Sequence, residues 1–120
     1  ATEVLDLYRE LGDGEVSINP SVYVGDWDDV AEHFLYQYNR YREWGGEPLL
    51  ERAEDLPRER YIVGTPDDVA AGIRAIEERT RCDRLFFWAR PPGLDIERSN
   101  RSLELFAREV IPRVQTAART

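Results

Sequence analysis

Apolar residues recur every three or four positions in four stretches of this chain, which is the spacing that places them on one face of a helix. The predicted helices cover Thr2 to Leu11, a long stretch from Asp26 to Gly45, a stretch that begins at Pro66, and a final stretch from Leu103 to about Pro112. Residues 115–120 follow the last helix and are predicted to form a polar tail.

Three shorter segments have the composition of β-strands. They are Val16–Val24, in which Pro20 weakens the first half, Tyr61–Val63, and the aromatic run from Arg84 to Arg90, which is predicted to be a buried strand. Residues 47–60 lack a clear period and are predicted to form a surface loop with one helical turn near residues 49–53. A helix lies in each connection between strands, so the pattern predicts an α/β fold with a parallel sheet and right-handed crossovers.

The turn between the second strand and the third helix contains the sequence Gly64-Thr65-Pro66-Asp67-Asp68. Thr65 is a preferred N-cap residue, Pro66 suits the first helical position, and Asp68 can complete a capping box. Free N–H groups at a helix start would attract a phosphate, but here Thr65 caps them and two aspartates add negative charge. We therefore expect this turn to be a helix cap rather than a phosphate site.

The charge and composition narrow the range of partners. The chain has 120 residues, a formal net charge of -8 and a pI near 4.7, which argues against a nucleic-acid or anionic-membrane partner. No apolar run approaches the roughly 18 residues that span a bilayer. The single cysteine, Cys82, cannot form an intrachain disulfide, and the start of the chain does not resemble a signal peptide, so we expect a cytoplasmic protein.

Several segments in series resemble the C-terminal end of the luciferase-like flavin-dependent monooxygenases. The resemblance rests on residues 61–69, 82–85, 92–94 and 102–112, and on the strand 22–24 followed by a tyrosine-rich helix that ends at Trp44-Gly45. Together these segments cover nearly the whole chain, and they occur in the order and spacing of the family.

The resemblance implies a (β/α)8 TIM barrel that binds FMN or the deazaflavin F420 and oxidises a small organic substrate. A complete barrel takes roughly 250 residues, so residues 1–120 would form a single partial domain with about three βα units, strands six to eight. In the family the flavin phosphate site and the usual catalytic histidine lie mostly on earlier strands. We therefore assign no catalytic residue and no phosphate site to this chain.

Three parallel strands alone would leave bare sheet edges that invite pairing with another chain. The expected partner is either the missing N-terminal part of the barrel or a second copy of the chain. The parent protein is expected to be an enzyme and the isolated chain inactive. The alternative is a non-catalytic, self-associating α/β module that derives from such a barrel or resembles one. A residue such as Tyr36 could serve a dimer interface, although packing within the barrel is the simpler explanation for the aromatics of its helix.

Alternation along the last strand places Trp88 and Arg90 on the same face. If the small apolar residues face the outer helices, both side chains point into the barrel near its C-terminal mouth, where barrel enzymes place their active sites. Trp88 could then stack on a flavin ring or wall the substrate pocket, and Arg90 could pair with an anionic group. In the alternative, Trp88 fills the core and Arg90 pairs with Asp95 or Glu97.

Asn19 and Tyr23 share one face of the first strand and could present polar groups to the same pocket, although a solvated or internally paired edge is the simpler explanation. His33 is the only histidine, and it lacks a nucleophile or second ligand that would make a catalytic dyad or a metal site. Cys82 is expected to be a packing residue rather than a reactive thiolate. No metal site is predicted.

Overall fold

A computed structural model describes the backbone of residues 2–119 and the side chains of residues 2–115. Its regular elements are α1 (Thr2–Leu11), β1 (Ser17–Ile18), β2 (Ser21–Val24), α2 (Trp27–Trp44), β3 (Tyr61–Gly64), α3 (Pro66–Thr80), β4 (Arg84–Leu85), α4 (Ile96–Leu105), a π-helical turn (Phe106–Val110) and α5 (Ile111–Arg119). The fold is mixed α/β with parallel strands, as the alternation of patterns predicts.

The strands form two separate two-stranded parallel sheets. β1 pairs with β4, with Ser17 opposite Arg84, and β2 pairs with β3, with Ser21 opposite Tyr61. The segment Asn19-Pro20 separates β1 from β2, because proline lacks the N–H that a continuous ladder needs. The predicted strand 16–24 is therefore two short strands, and each half has a different neighbour.

Two hydrophobic clusters cover the two faces of the β2–β3 pair. Val22, Val24 and Ile62 pack with α3 and the π-helical turn, whereas Tyr23 and Tyr61 pack with α2. This division follows from the strand period, since neighbouring residues in a strand point to opposite faces. Val22 and Val24 thus lie on the face of the strand opposite Tyr23.

The start of α3 has the predicted cap. The Thr65 hydroxyl accepts a hydrogen bond from the backbone N–H of Asp68 at 3.2 Å, and the Asp68 carboxylate accepts one from the backbone N–H of Thr65 at 3.1 Å. Pro66 occupies the first turn, where a missing N–H costs nothing. This reciprocal pair fixes the angle at which the chain leaves β3.

The predicted end of the last helix, near Pro112, is wrong. The helix begins at Ile96 and continues through a π-helical turn into α5, which reaches Arg119. In this turn the N–H of Ile111 bonds to the carbonyl of Phe106, and the wider turn accommodates the proline that follows. The polar tail predicted for residues 115–120 is helical up to Arg119, while Thr120 and the side chains from residue 116 onward lie outside the described residues.

The aromatic run after Cys82 also differs from the prediction. Only Arg84 and Leu85 form a strand, and Phe86 and Trp88 are 53% and 72% exposed, so the run is not a buried strand. The predicted alternation is retained, since Leu85 and Phe87 pack against the core on the other face. The loop at residues 47–60 contains two 3-10 turns, at Ala53–Asp55 and Arg58–Arg60, both C-terminal to most of the predicted turn.

Candidate functional site

A large groove lies where β1 and β4 end and β2 and β3 begin. It has a volume of about 830 Å³, within the range of small-molecule pockets. Ile18, Asn19 and Pro20 line one side, and Glu59, Arg60 and Tyr61 line another. Because β3 pairs only with β2, the strand edge beside Ile18–Pro20 is left open on this side, and the groove occupies that opening.

Aromatic rings form much of the groove wall. Tyr38 and Tyr41 come from α2, Tyr61 is the first residue of β3, and Trp88 follows β4. Tyr41 is 61% exposed and Trp88 is 72% exposed, so both residues of the groove lining are accessible to solvent. Such exposed apolar surface is typical of sites that bind a partner or a ligand.

The charged side chains of the groove are Arg60, Arg79 and Glu59. They give the lining a net charge of one positive unit on a chain whose formal net charge is -8. Arg79 lies in the last turn of α3, and Arg60 directly precedes β3. A locally positive groove in an acidic protein favours an anionic ligand.

Two of the four predicted pocket residues, Asn19 and Trp88, line this groove. Asn19 directly follows β1, and Trp88 lies three residues beyond β4, so both stand at the carboxyl ends of paired parallel strands. Trp88 also borders a smaller cavity with Pro20 and Phe34. The strand pairing thus brings together two residues that are separated by most of the chain.

Tyr23 lies elsewhere, in the core against α2. Its side chain is 3% exposed, and its hydroxyl donates a hydrogen bond to the Asp29 carboxylate at 3.2 Å. Burial, followed by the negative charge of Asp29, raises the pKa of Tyr23 to about 12. Arg98 approaches the same carboxylate at 4.0 Å, so Tyr23 belongs to a network that links β2, α2 and α4.

Arg90 is also outside the groove. Its Nε donates a hydrogen bond of 2.6 Å to the backbone carbonyl of Leu94, which is fully buried. The guanidinium therefore fastens the turn Pro91-Pro92-Gly93 rather than facing Asn19 and Trp88. The groove does not include Arg90 or Tyr23. A pocket role for either residue stays a prediction.

A tight aromatic cluster supports the groove from behind. The ring centroids of Phe34 and Tyr61 are 4.7 Å apart, and Trp27 contacts both rings. The guanidinium carbon of Arg58 lies 3.8 Å from the centroid of the Trp27 ring, a cation–π contact. Burial raises the pKa of Tyr61, and these contacts hold its ring in a fixed position.

A second, smaller cleft of about 260 Å³ lies at the carboxyl ends of β2 and β3. Gly64, Thr65 and Asp68 line it together with Asp26 and Trp27. The N–H groups of Thr65 and Asp68 already donate within the capping box, and the charged residues in the lining are aspartates. This cleft therefore does not suit a phosphate, as the sequence indicates.

The remaining candidates have local structural roles. Nδ1 of His33 lies 3.0 Å from the carbonyl oxygen of Pro92, and Cys82 is a half-buried free thiol. Among residues 2–115, no group of three acidic, histidine or cysteine side chains is placed to hold a metal ion. Within the described part of the chain, no helix has both the length and the apolar character needed to cross a membrane.

Sequence reasoning alone did not single out Arg60, Arg79, Tyr38, Tyr41 and Tyr61 as groove residues. A usable signal exists for the arginines. A crossover helix ends on the side of the sheet where the next strand begins, so the end of α3 and the residue before β3 meet at the same side. The tyrosines carry no such signal, because an aromatic at helical spacing is equally suited to the core.

Comparisons with known proteins agree with the fold. The sequence matches no protein-family model and no curated protein significantly. Among solved structures, the fold is similar to the monooxygenase RslO1 from Streptomyces bottropensis, with a TM-score of 0.68 and 20% sequence identity. The match covers 92% of this chain and 37% of that protein, so the chain corresponds to a little more than a third of its length. At this identity the likeness concerns the fold alone.

Proposed function

We propose that this chain is the C-terminal part of a flavin-dependent, luciferase-like monooxygenase that acts on a small organic substrate in the cytoplasm. The observation that carries the proposal is the likeness of fold, over 92% of the chain, to about a third of a protein described as a monooxygenase. The series of family-like segments in the sequence supports the same conclusion.

In this proposal the described strands belong to the end of a (β/α)8 barrel. Neighbouring strands of a barrel wall are parallel and hydrogen-bonded, and here β1 is paired with β4 rather than with β3. We therefore assign β1 and β4 to the wall as neighbouring strands, and also the β2–β3 pair, which is parallel and hydrogen-bonded too and whose segments carry the family resemblance. The assignment of these strands to positions six to eight of the barrel stays part of the proposal.

The groove then lies at the carboxyl ends of two wall strands, where barrel enzymes place their active sites. We assign it to the substrate. Asn19 and Trp88 position the molecule, and the tyrosine rings help to exclude water from it. When bound, FMN or F420 supplies the redox chemistry, while the protein binds and orients the reactants.

The groove residues fit a planar ring, but they do not supply a phosphate cradle. The strand-to-helix turn at Gly64-Thr65 uses N–H groups for its own cap, and Asp68 adds negative charge there. We therefore propose that the phosphate of the cofactor is bound by the part of the parent protein that this chain lacks. No residue of this chain is proposed as a catalytic acid, base or nucleophile.

Flavin content tests the proposal directly. The 120-residue chain and the longest product of its gene would both be purified, and visible absorbance would be recorded before and after denaturation. We expect released FMN or F420 from the long product and none from the short chain; mass spectrometry then identifies the cofactor. The absence of flavin from the long product would contradict the proposal.

A second candidate is a non-catalytic module that associates with itself. One observation favours it: helices of the chain itself cover both faces of the β2–β3 pair, so this part of the sheet needs no further layer. Sedimentation equilibrium separates the candidates. A stable dimer of the 120-residue chain, together with no flavin in the long product, would favour the module over the enzyme.

A further inference from the structure

The groove offers flat aromatic faces and positive charge in one place. Trp88 and Tyr41 are exposed and line it, and Tyr61 forms part of its inner wall. Aromatic rings bind other rings by offset stacking or edge-to-face contact, and they gain more from a planar ligand than from an aliphatic one. The wall is therefore suited to a ring system rather than to a chain.

Two cations of the groove are available to a ligand. Among the described side chains, residues 2–115, neither Arg60 nor Arg79 lies within 4.0 Å of a carboxylate oxygen, whereas Arg42 and Arg84 form ion pairs with glutamates. A guanidinium forms two parallel hydrogen bonds with a carboxylate, which fixes both the distance and the orientation of that group. Each guanidinium can therefore pair with an anionic group of a ligand in the groove.

We propose that the groove binds a planar aromatic carboxylate, with its ring against Trp88 and Tyr41 and its carboxylate towards Arg60 and Arg79. The side chains of Asn19, Ser21 and Gln37 also line the groove and provide hydrogen-bonding groups for polar substituents on the ring. The volume of about 830 Å³ leaves room for two or three fused rings. As an assignment of the substrate class, this inference rests on the proposed function; binding itself is a property of this chain alone.

Isothermal titration calorimetry of the 120-residue chain with 2-naphthoate tests the inference without flavin or turnover. Two further ligands separate the contribution of the aromatic rings from that of the negative charge. 2-Naphthylmethanol keeps the rings and lacks the charge, and cyclohexanecarboxylate keeps the charge and lacks the aromatic ring. We expect saturable binding of 2-naphthoate, about tenfold weaker binding of each comparison ligand, and weaker binding of the carboxylate at high salt.

Substitutions locate the binding. Trp88→Leu is expected to weaken the binding of 2-naphthoate about tenfold, whereas Tyr36→Leu, which changes an exposed aromatic residue (58%) outside the groove, leaves it unchanged. Arg79→Gln is expected to weaken the binding of 2-naphthoate and to spare that of 2-naphthylmethanol. Arg74→Gln, in the same helix but outside the groove, is its matched control.

The inference is overturned if 2-naphthoate shows no saturable binding up to about 5 mM, the weak end of measurable affinities. It is also overturned if Tyr36→Leu weakens binding as much as Trp88→Leu does, or if the three ligands bind equally. Circular dichroism of each variant checks that the fold is retained. Binding without flavin in the long product would refute the proposed function alone, and flavin without binding would refute the ligand class alone.

Discussion

The backbone N–H of Val24 donates a hydrogen bond of 2.9 Å to the side-chain hydroxyl of Ser102, and both residues are buried. The bond joins the last residue of β2 to α4 across 78 positions of the chain. It gives a partner to a backbone donor that would otherwise be buried without one, and such unsatisfied donors are rare in folded proteins. Ser102 thus contributes to the sheet although it lies in a helix.

Removal of this hydroxyl is expected to be costly. Ser102→Ala leaves the N–H of Val24 buried and unpaired, so we expect the free energy of unfolding to fall by about 1 to 3 kcal/mol. Urea denaturation measures the loss. Ser99→Ala is the matched control, because Ser99 is equally buried in the same helix but bonds only to the carbonyl of Asp95 within that helix. Equal losses in the two variants would contradict the assigned role of Ser102.

The raised pKa of Tyr23 predicts a loss of stability at alkaline pH. The unfolded chain ionises this phenol near 10.0 and the folded protein near 12, so the stabilisation is complete below pH 10 and is lost as the pH rises from about 10 to 12. We expect the free energy of unfolding to fall by about 2 kcal/mol over this interval. Tyr23→Phe should reduce the fall.

The comparison requires a second variant, because burial also raises the pKa of Tyr61 and adds a loss of the same sign. The measurement is urea denaturation of wild type, Tyr23→Phe and Tyr61→Phe at several pH values, alongside the ultraviolet absorbance of tyrosinate. A slope with pH that is as steep in Tyr23→Phe as in wild type would rule out Tyr23 as its source.

The capping box at the start of α3 gives a third prediction. Thr65→Ala removes the acceptor for the N–H of Asp68, and we expect the protein to lose about 1 kcal/mol of stability. Thr65→Ser keeps the hydroxyl and should stay close to wild type. Thermal denaturation followed by circular dichroism suffices, and identical transitions for the alanine and serine variants would show that the cap contributes nothing.

Gly93 gives the fourth prediction. Its backbone has a φ of 86°, and a Cβ atom there would lie 3.0 Å from Nδ1 of His33. Gly93→Ala should therefore cost about 1 to 2 kcal/mol and disturb the contact between His33 and the carbonyl of Pro92. Gly46→Ala has a similar φ of 71° but nothing within 4 Å, so it measures the backbone strain alone. Equal losses in the two variants would exclude a role for the crowding at His33.

Features determined by neighbouring residues could be predicted from the sequence. The Thr65 cap follows from five consecutive residues, and the separation of Val22 from Tyr23 follows from the strand period. The end of the last helix was predicted incorrectly at Pro112 because proline usually stops a helix, whereas the π-helical turn before it accommodates the ring. That compensation involves packing against α3, which no local pattern reports.

The candidate site could be predicted only in part. Asn19 and Trp88 attract attention by residue type and strand position, and they do lie in one groove. Arg60 and Arg79 line the same groove for two reasons. β3 begins opposite Ser21, the first residue of β2, and α3 ends on that same side of the strands. The exposure of Trp88 could not be predicted from the sequence either. A run of aromatic residues is typical of a buried strand, and only the packing around β4 shows that this one is exposed.

The interruption at Asn19-Pro20 is a junction between two separate hydrogen-bonded ladders. The β1–β4 ladder and the β2–β3 ladder share a chain segment, yet neither ladder runs through the junction, so each ladder has its own set of hydrogen bonds. The groove opens at this junction, and Asn19 and Pro20 form part of its wall. The groove wall therefore forms at a break between two ladders that one hydrophobic core, which includes Ile18, Leu85 and Val22, holds together.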